Sequence, residues 1–106
     1  MGNNLVFLIG RLAEDLEKNS DNKIKTVIAS QRVSKNDEGV YETDLIPIEL
    51  AGNIADTTIE YCKKGDLVGI KGTLASNENK EVYVIVEKLS FLSSQKINED
   101  SDETEE

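Results

Sequence analysis

The side chains that could do chemistry in this 106-residue chain are few: there is no His, one Cys (Cys62), no Trp, three Tyr and two Phe. With no His and a single thiol, the donor set of a zinc or other soft-metal site is missing. One Cys also excludes an intrachain disulfide and suits a reducing compartment. Cys62 itself reads either as a small apolar filler or as a reactive thiol. There is no nucleophile elbow, P-loop or glycine-rich dinucleotide loop, and the carboxylates are scattered or gathered near the C-terminus. The chain is therefore expected to be no enzyme and to use no cofactor or metal. What remains is binding chemistry. Arg11, Lys23, Lys25, Arg32, Lys35, Lys71, Lys80 and Lys88 offer cations, each either solvated or a contact for an anion such as phosphate. Phe7, Tyr41, Tyr61, Tyr83 and Phe91 offer rings that either pack in a fold or present a flat face to a ligand.

The charge balance is acidic, with 12 Lys and Arg against 21 Asp and Glu, net −9. Six of the acids (Glu99, Asp100, Asp102, Glu103, Glu105, Glu106) lie within residues 97–106, so the preceding body carries 12 basic against 15 acidic residues, net −3. That is not the basic footprint of a nucleic-acid binder. Net charge governs long-range steering, however, and a local groove of Lys and Arg still binds phosphate. No apolar run approaches the ~20 residues of a membrane-spanning helix, and MGNNLVFLIG lacks the basic region of a signal peptide. A soluble, cytoplasmic protein is expected.

The elements that must position these residues are short and mostly strands. Residues 3–12 are apolar on both faces, with Leu5, Phe7 and Ile9 on one and Val6, Leu8 and Leu12 on the other. A strand of that kind is expected to be buried on both faces, either centrally in a barrel or with one face against a second subunit. Gly10 would let it coil sharply. Residues 13–22 read as a loop, 23–35 as a second strand, and Asn36–Gly39 as a turn in which Gly39 is free to take positive φ. Pro47 in the third strand suits an edge or a bulge. The spacing then predicts a helix near 53–63, with Asn53 as N-cap, Asp56 as capping-box acid, Lys63, Lys64 and Gly65 at its end, and an apolar stripe of Ile54, Thr58, Ile59 and Cys62. Strands follow at 67–74 and over EVYVIVEKLSFL, and from about Ser93 the period disappears into a run of acids expected to be disordered.

Three segments, LIGRLAED (8–15), YETD (41–44) and EYCKKGDLVGIKGTL (60–74), follow one another in an order and at spacings that resemble the bacterial single-stranded DNA-binding protein family, over roughly residues 3–92. The resemblance implies an all-β OB-fold, a five-stranded Greek-key barrel with one α-helix between strands 3 and 4, occupying residues 1–93 ahead of an acidic tail at 94–106. It also implies single-stranded DNA binding in replication or recombination, in a short member of the sort a phage or mobile element carries. A homo-oligomer, dimer or tetramer, is implied, as are replication or recombination proteins as partners; no membrane is. The family's usual stacking positions hold Ser34, Leu45 and Ala51 here, none aromatic, and the tail ends in bare acid where family tails end in a hydrophobic Pro-Phe tip. On the implied ligand face lie Lys25, Arg32, Lys35 and Lys71 as phosphate contacts. Tyr61 falls in the helix and Phe7 and Phe91 are expected in the core, which leaves Tyr41 and Tyr83 either as substitute platforms or as plain sheet packing. The alternative is an OB-fold module that kept the scaffold, lost strong DNA binding and now binds a replication protein.

Overall fold

The structure is a computed structural model that describes residues 2–94; all but the first residue of the acidic tail expected at 94–106 therefore lies outside the described residues. Five strands, β1 (Val6–Leu12), β2 (Lys23–Lys35), β3 (Tyr41–Ala51), β4 (Leu67–Ser76) and β5 (Val82–Ser93), close a barrel in the order β1-β2-β3-β5-β4. One helix, α1 (Gly52–Tyr61), connects β3 to β4. Neighbouring strands run antiparallel except β3 and β5, which are parallel. This is the Greek-key OB-fold that the resemblance implies.

The alternation of side chains decides what the barrel encloses. Ile24, Thr26 and Ile28 of β2 stand opposite Leu50, Ile48 and Ile46 of β3 on the inward face, and Leu12, Val68, Ile70, Val84 and Val86 complete the interior, each no more than 4% exposed. At roughly 1.5–3 kcal/mol for each such side chain fully buried, these branched aliphatics outweigh any competing choice of inward face. Gly10 permits a close approach at this wall: a Cβ there would stand 2.3 Å from the Ala29 carbonyl oxygen, so β1 and β2 can cross this tightly only with glycine.

The opposite face of β1 is open in the single chain. Leu5, Phe7 and Ile9 are 57%, 70% and 63% exposed, so one of its two apolar faces is buried and the other is not. Phe7 and Phe91, expected in the core, are both exposed. The interior is already filled by smaller branched side chains, and the rings fall on the outward side of their strands.

Beyond Ala29 the backbone pairing of β2 with β1 ends, and the last link between them is the Ser30 hydroxyl, which donates to the Ile9 carbonyl at 3.1 Å. From there β2 and β3 continue alone as a two-stranded arm, closed by the Asn36–Gly39 turn, in which the Asn36 Oδ1 accepts from the Glu38 and Val40 amides and Gly39 takes φ +78°. β5 pairs with β3 at Ile48 and Glu49. Pro47 therefore sits where the second edge of β3 is unpaired, as its missing N–H requires.

The helix differs from its expected bounds. β3 pairs with β2 as far as Ala51, and Gly52, at φ +63°, swings the chain directly into α1. Ala51 is thus the N-cap and makes no side-chain cap bond; Asn53 already lies in the first turn, and Asp56 pairs with Lys18 instead. The buried stripe centres on Ala55 and Thr58, flanked by half-buried Ile54 and Cys62, while Ile59 is left exposed. Lys63, Lys64 and Gly65 lie past the helix, in a turn whose Lys63 amide donates to the buried Asp66 carboxylate at 2.9 Å. The Gly65 amide donates to the Leu12 carbonyl at 2.8 Å, which ties this turn to the end of β1.

Candidate nucleic-acid interface

Odd-numbered residues of β2 and β3 point away from the core, and their pairing lays out one continuous strip: Lys25 with Glu49, Val27 with Pro47, Ala29 with Leu45, Gln31 with Thr43, and Lys35 with Tyr41. The strip carries a cation and a ring near each end and apolar side chains between. At the barrel end, Lys25 and Tyr83 line a cleft of about 190 Å³ with Pro47, Glu49 and Asn77. At the arm end, the Lys35 ammonium lies 5.5 Å from the centre of the Tyr41 ring, within range of a cation–π contact. Leu45, 67% exposed, stands midway, and Ala51 is exposed beyond the cleft. Two of the three stacking positions that the resemblance implies are therefore on the surface here, but offer aliphatic contact in place of a π face. Ser34 is exposed in the stretch where the β2–β3 register slips.

Four of the six sequence-predicted residues, Lys25, Lys35, Tyr41 and Tyr83, are brought to this strip: Lys35 beside the Tyr41 ring at the arm end, and Lys25 and Tyr83 on one cleft at the barrel end. The other two lie elsewhere. Arg32 falls on the opposite face of the arm, where its Nε and Nη2 each donate to Asp44 at 3.0 Å and its Nη1 donates to Glu42 at 2.8 Å. The hydrogen bond from Arg32 holds the Asp44 carboxyl below the usual carboxylate range, and the same bond, followed by the charges of Asp44 and Glu42, raises the guanidinium. A phosphate at Arg32 has to compete with two carboxylates. Lys71 pairs in register with Phe7 of β1 and Lys88 of β5 and lines a separate concavity of about 500 Å³ with Phe7, Ile9, Lys88 and Leu92.

Sequence reasoning marked Pro47 only as an edge or bulge residue and passed over Glu49 and Asn77, which with it shape the cleft. Glu49 also lies 3.7 Å from the Lys23 ammonium. It overlooked too a broad concave surface of about 760 Å³ between β1 and the arm, lined by Phe7, Ile9, Arg11, Gln31, Val33 and Leu67 among others. The exposed face of β1 was the available signal for it. Arg11 is held by the fold, its Nη1 donating to the Gly65 carbonyl at 2.9 Å. Cys62 is half-buried, and burial, followed by the Asp66 charge, pushes its thiol up; this favours apolar filler over a reactive thiolate. Among the described residues, no group of three or more His, Cys, Asp or Glu is placed to hold a metal ion, and no helix is long and apolar enough to cross a membrane.

Known proteins resemble the chain along nearly its whole length. It is 31% identical over 106 residues to single-stranded DNA-binding protein 1 of Clostridium acetobutylicum, covering 88% of this chain and 96% of that protein. It is 37% identical over 90 residues to single-stranded DNA-binding protein B of Bacillus subtilis, covering 76% and 80%. The crystal structure of the mitochondrial single-stranded DNA-binding protein of Saccharomyces cerevisiae superposes with a TM-score of 0.72 over 91% of this chain and all of that one, at 21% identity, and so shares the fold. Residues 3–92 match the model of the single-strand binding protein family, and the chain belongs to that family.

Proposed function

We propose that this chain binds single-stranded DNA along the outward strip of β2 and β3, as a non-catalytic protein of DNA replication or recombination in the cytoplasm. The observation that carries this reading is the pairing of a cation with a ring near each end of the strip, Lys25 with Tyr83 and Lys35 with Tyr41. A single strand presents phosphates and flat bases at every nucleotide, and a strip with a cation and a ring near each end meets both without reading sequence. Val27, Leu45 and Pro47 offer apolar contact between the two ends. With three usual stacking positions non-aromatic, phosphate contacts carry most of the affinity, and binding depends steeply on salt. Titrating fluorescent oligo-dT at low and high salt tests this. Measurable binding at low salt that weakens steeply with added salt is expected; no binding at low salt overturns the reading and favours an OB-fold module that docks a protein.

The working form is a homo-oligomer, dimer or tetramer, in which a second copy covers Leu5, Phe7 and Ile9. These are large apolar side chains side by side on one open strand face, a surface costly to leave in water.

A further inference from the structure

The arm reaches beyond the barrel as two strands, and a two-stranded ribbon is marginal in water on its own. Its ladder is also interrupted. Between the Gln31–Thr43 and Lys35–Tyr41 pairs, three residues of β2 are set against one of β3, so regular cross-strand pairing fails within the arm. The side chains of Arg32, Glu42, Asp44 and Asn36 span this gap. Arg32 grips Asp44 through two nitrogens and Glu42 through the third, and the Asn36 Nδ2 donates to the second oxygen of Glu42 at 3.2 Å, which links the turn to the same network.

We propose that Arg32 is a positioning residue: with Asp44, Glu42 and Asn36 it fixes the shape of the β2–β3 arm, and so the distance from the Lys35–Tyr41 pair to the Lys25–Tyr83 cleft, rather than holding a phosphate itself. The inference rests on the DNA-binding reading above. The two cation–ring pairs are ten residues apart along β2, roughly 30 Å at strand spacing. A strand long enough to touch both gains from the second contact only to the extent that the arm is already in place, since a wandering arm lowers the effective concentration of the second site. An isolated exposed ion pair contributes little, but a bidentate pair within a network holds its geometry better. Arg32 thus tunes how strongly the protein prefers long strands over short ones.

The test compares oligo-dT of about 4 nucleotides with oligo-dT of about 16, the lower and upper ends of what one OB-fold spans. Binding is followed by NMR shifts for the short strand and by fluorescence for the long one. Arg32→Ala is expected to weaken the long strand about three- to five-fold, the size an exposed bidentate network supports, with the short strand and the salt slope unchanged. Asp44→Asn should weaken the long strand in the same direction, and exchanging the two residues (Arg32→Asp with Asp44→Arg) should restore it. The opposite sign is the sharpest refutation: if Asp44→Asn tightens binding, the freed guanidinium is a phosphate contact. A salt slope flatter by about 0.7 in Arg32→Ala, or equal weakening of short and long strands with a lowered melting temperature, also overturns the proposal. No binding of either strand by the wild-type protein removes the DNA-binding reading, and this inference with it.

Discussion

Lys25 and Lys35 supply the cations of the strip, Tyr41 and Tyr83 its rings, and substitution separates the two contributions. Replacing both lysines with Ala should weaken binding to every sequence alike and flatten the salt slope by about 0.7 for each lost contact to a single strand. Tyr83→Ala or Tyr41→Ala should cost about 1–3 kcal/mol if a base stacks there; a salt titration of all three variants reads both effects. Lys71→Ala should leave affinity unchanged, because Lys71 stands on the β4 face beside Phe7 and Lys88, away from the strip. An equal loss from Lys71→Ala would move the site to that face. The pH dependence of the arm has a definite sign. Asp44 titrates below the usual carboxylate range, so its contribution is fully present above that range and is lost as pH falls through the lowered value; it is modest, because the pair is exposed to solvent. The cations and rings were legible in the sequence as residue types, but their partners were not. Arg32 and Asp44 are joined only by the fold, and nothing local marks an arginine as already engaged.

At the scale of elements, the alternation of β4 and β5 showed those strands plainly, and the Asn36–Gly39 turn fixed the hairpin of β2, neither of whose faces is cleanly apolar. What the turn could not fix was the register further down. Counting back from the Lys35–Tyr41 pair places Lys25 opposite Ala51, whereas the slip between Gln31 and Lys35 puts it opposite Glu49. A slip of two residues keeps every side chain on its face, so the faces were readable while the cleft formed by Lys25, Pro47, Glu49 and Tyr83 was not. The helix bounds moved for a related reason: β3 extends to Ala51 and Gly52 turns the chain at once, leaving no residue free to act as a side-chain cap. Gly10 gives a direct test of the barrel wall. Gly10→Ala puts a methyl group against the Ala29 backbone, and overpacking of this kind costs about 1–3 kcal/mol. For a domain of this size that lowers the melting temperature by at least about 4 °C. An unchanged melting curve would show that β1 and β2 can separate at that crossing without cost.

The whole molecule has one apolar face and an acidic total, and the two lead to separate expectations. Periodicity shows β1 apolar on both sides but cannot say which side a single barrel takes in; the side that bears Phe7 stays exposed in the single chain. Light scattering at micromolar concentration should give a particle of at least twice the 11.7 kDa chain mass, and Phe7→Asp should shift it toward the monomer. Residues 97–106 hold six acids and no Lys or Arg, and so account for six of the nine net negative charges. Without them the body at −3 repels DNA less, and this long-range term operates only over about 10 Å at 0.1 M salt. Deleting 97–106 should therefore tighten oligo-dT binding at low salt and make little difference at high salt, where the charges of the full chain are already screened. Equal affinities of the full and shortened chains at low salt would show that the acids do not oppose binding, and that contacts within the strip set the affinity alone.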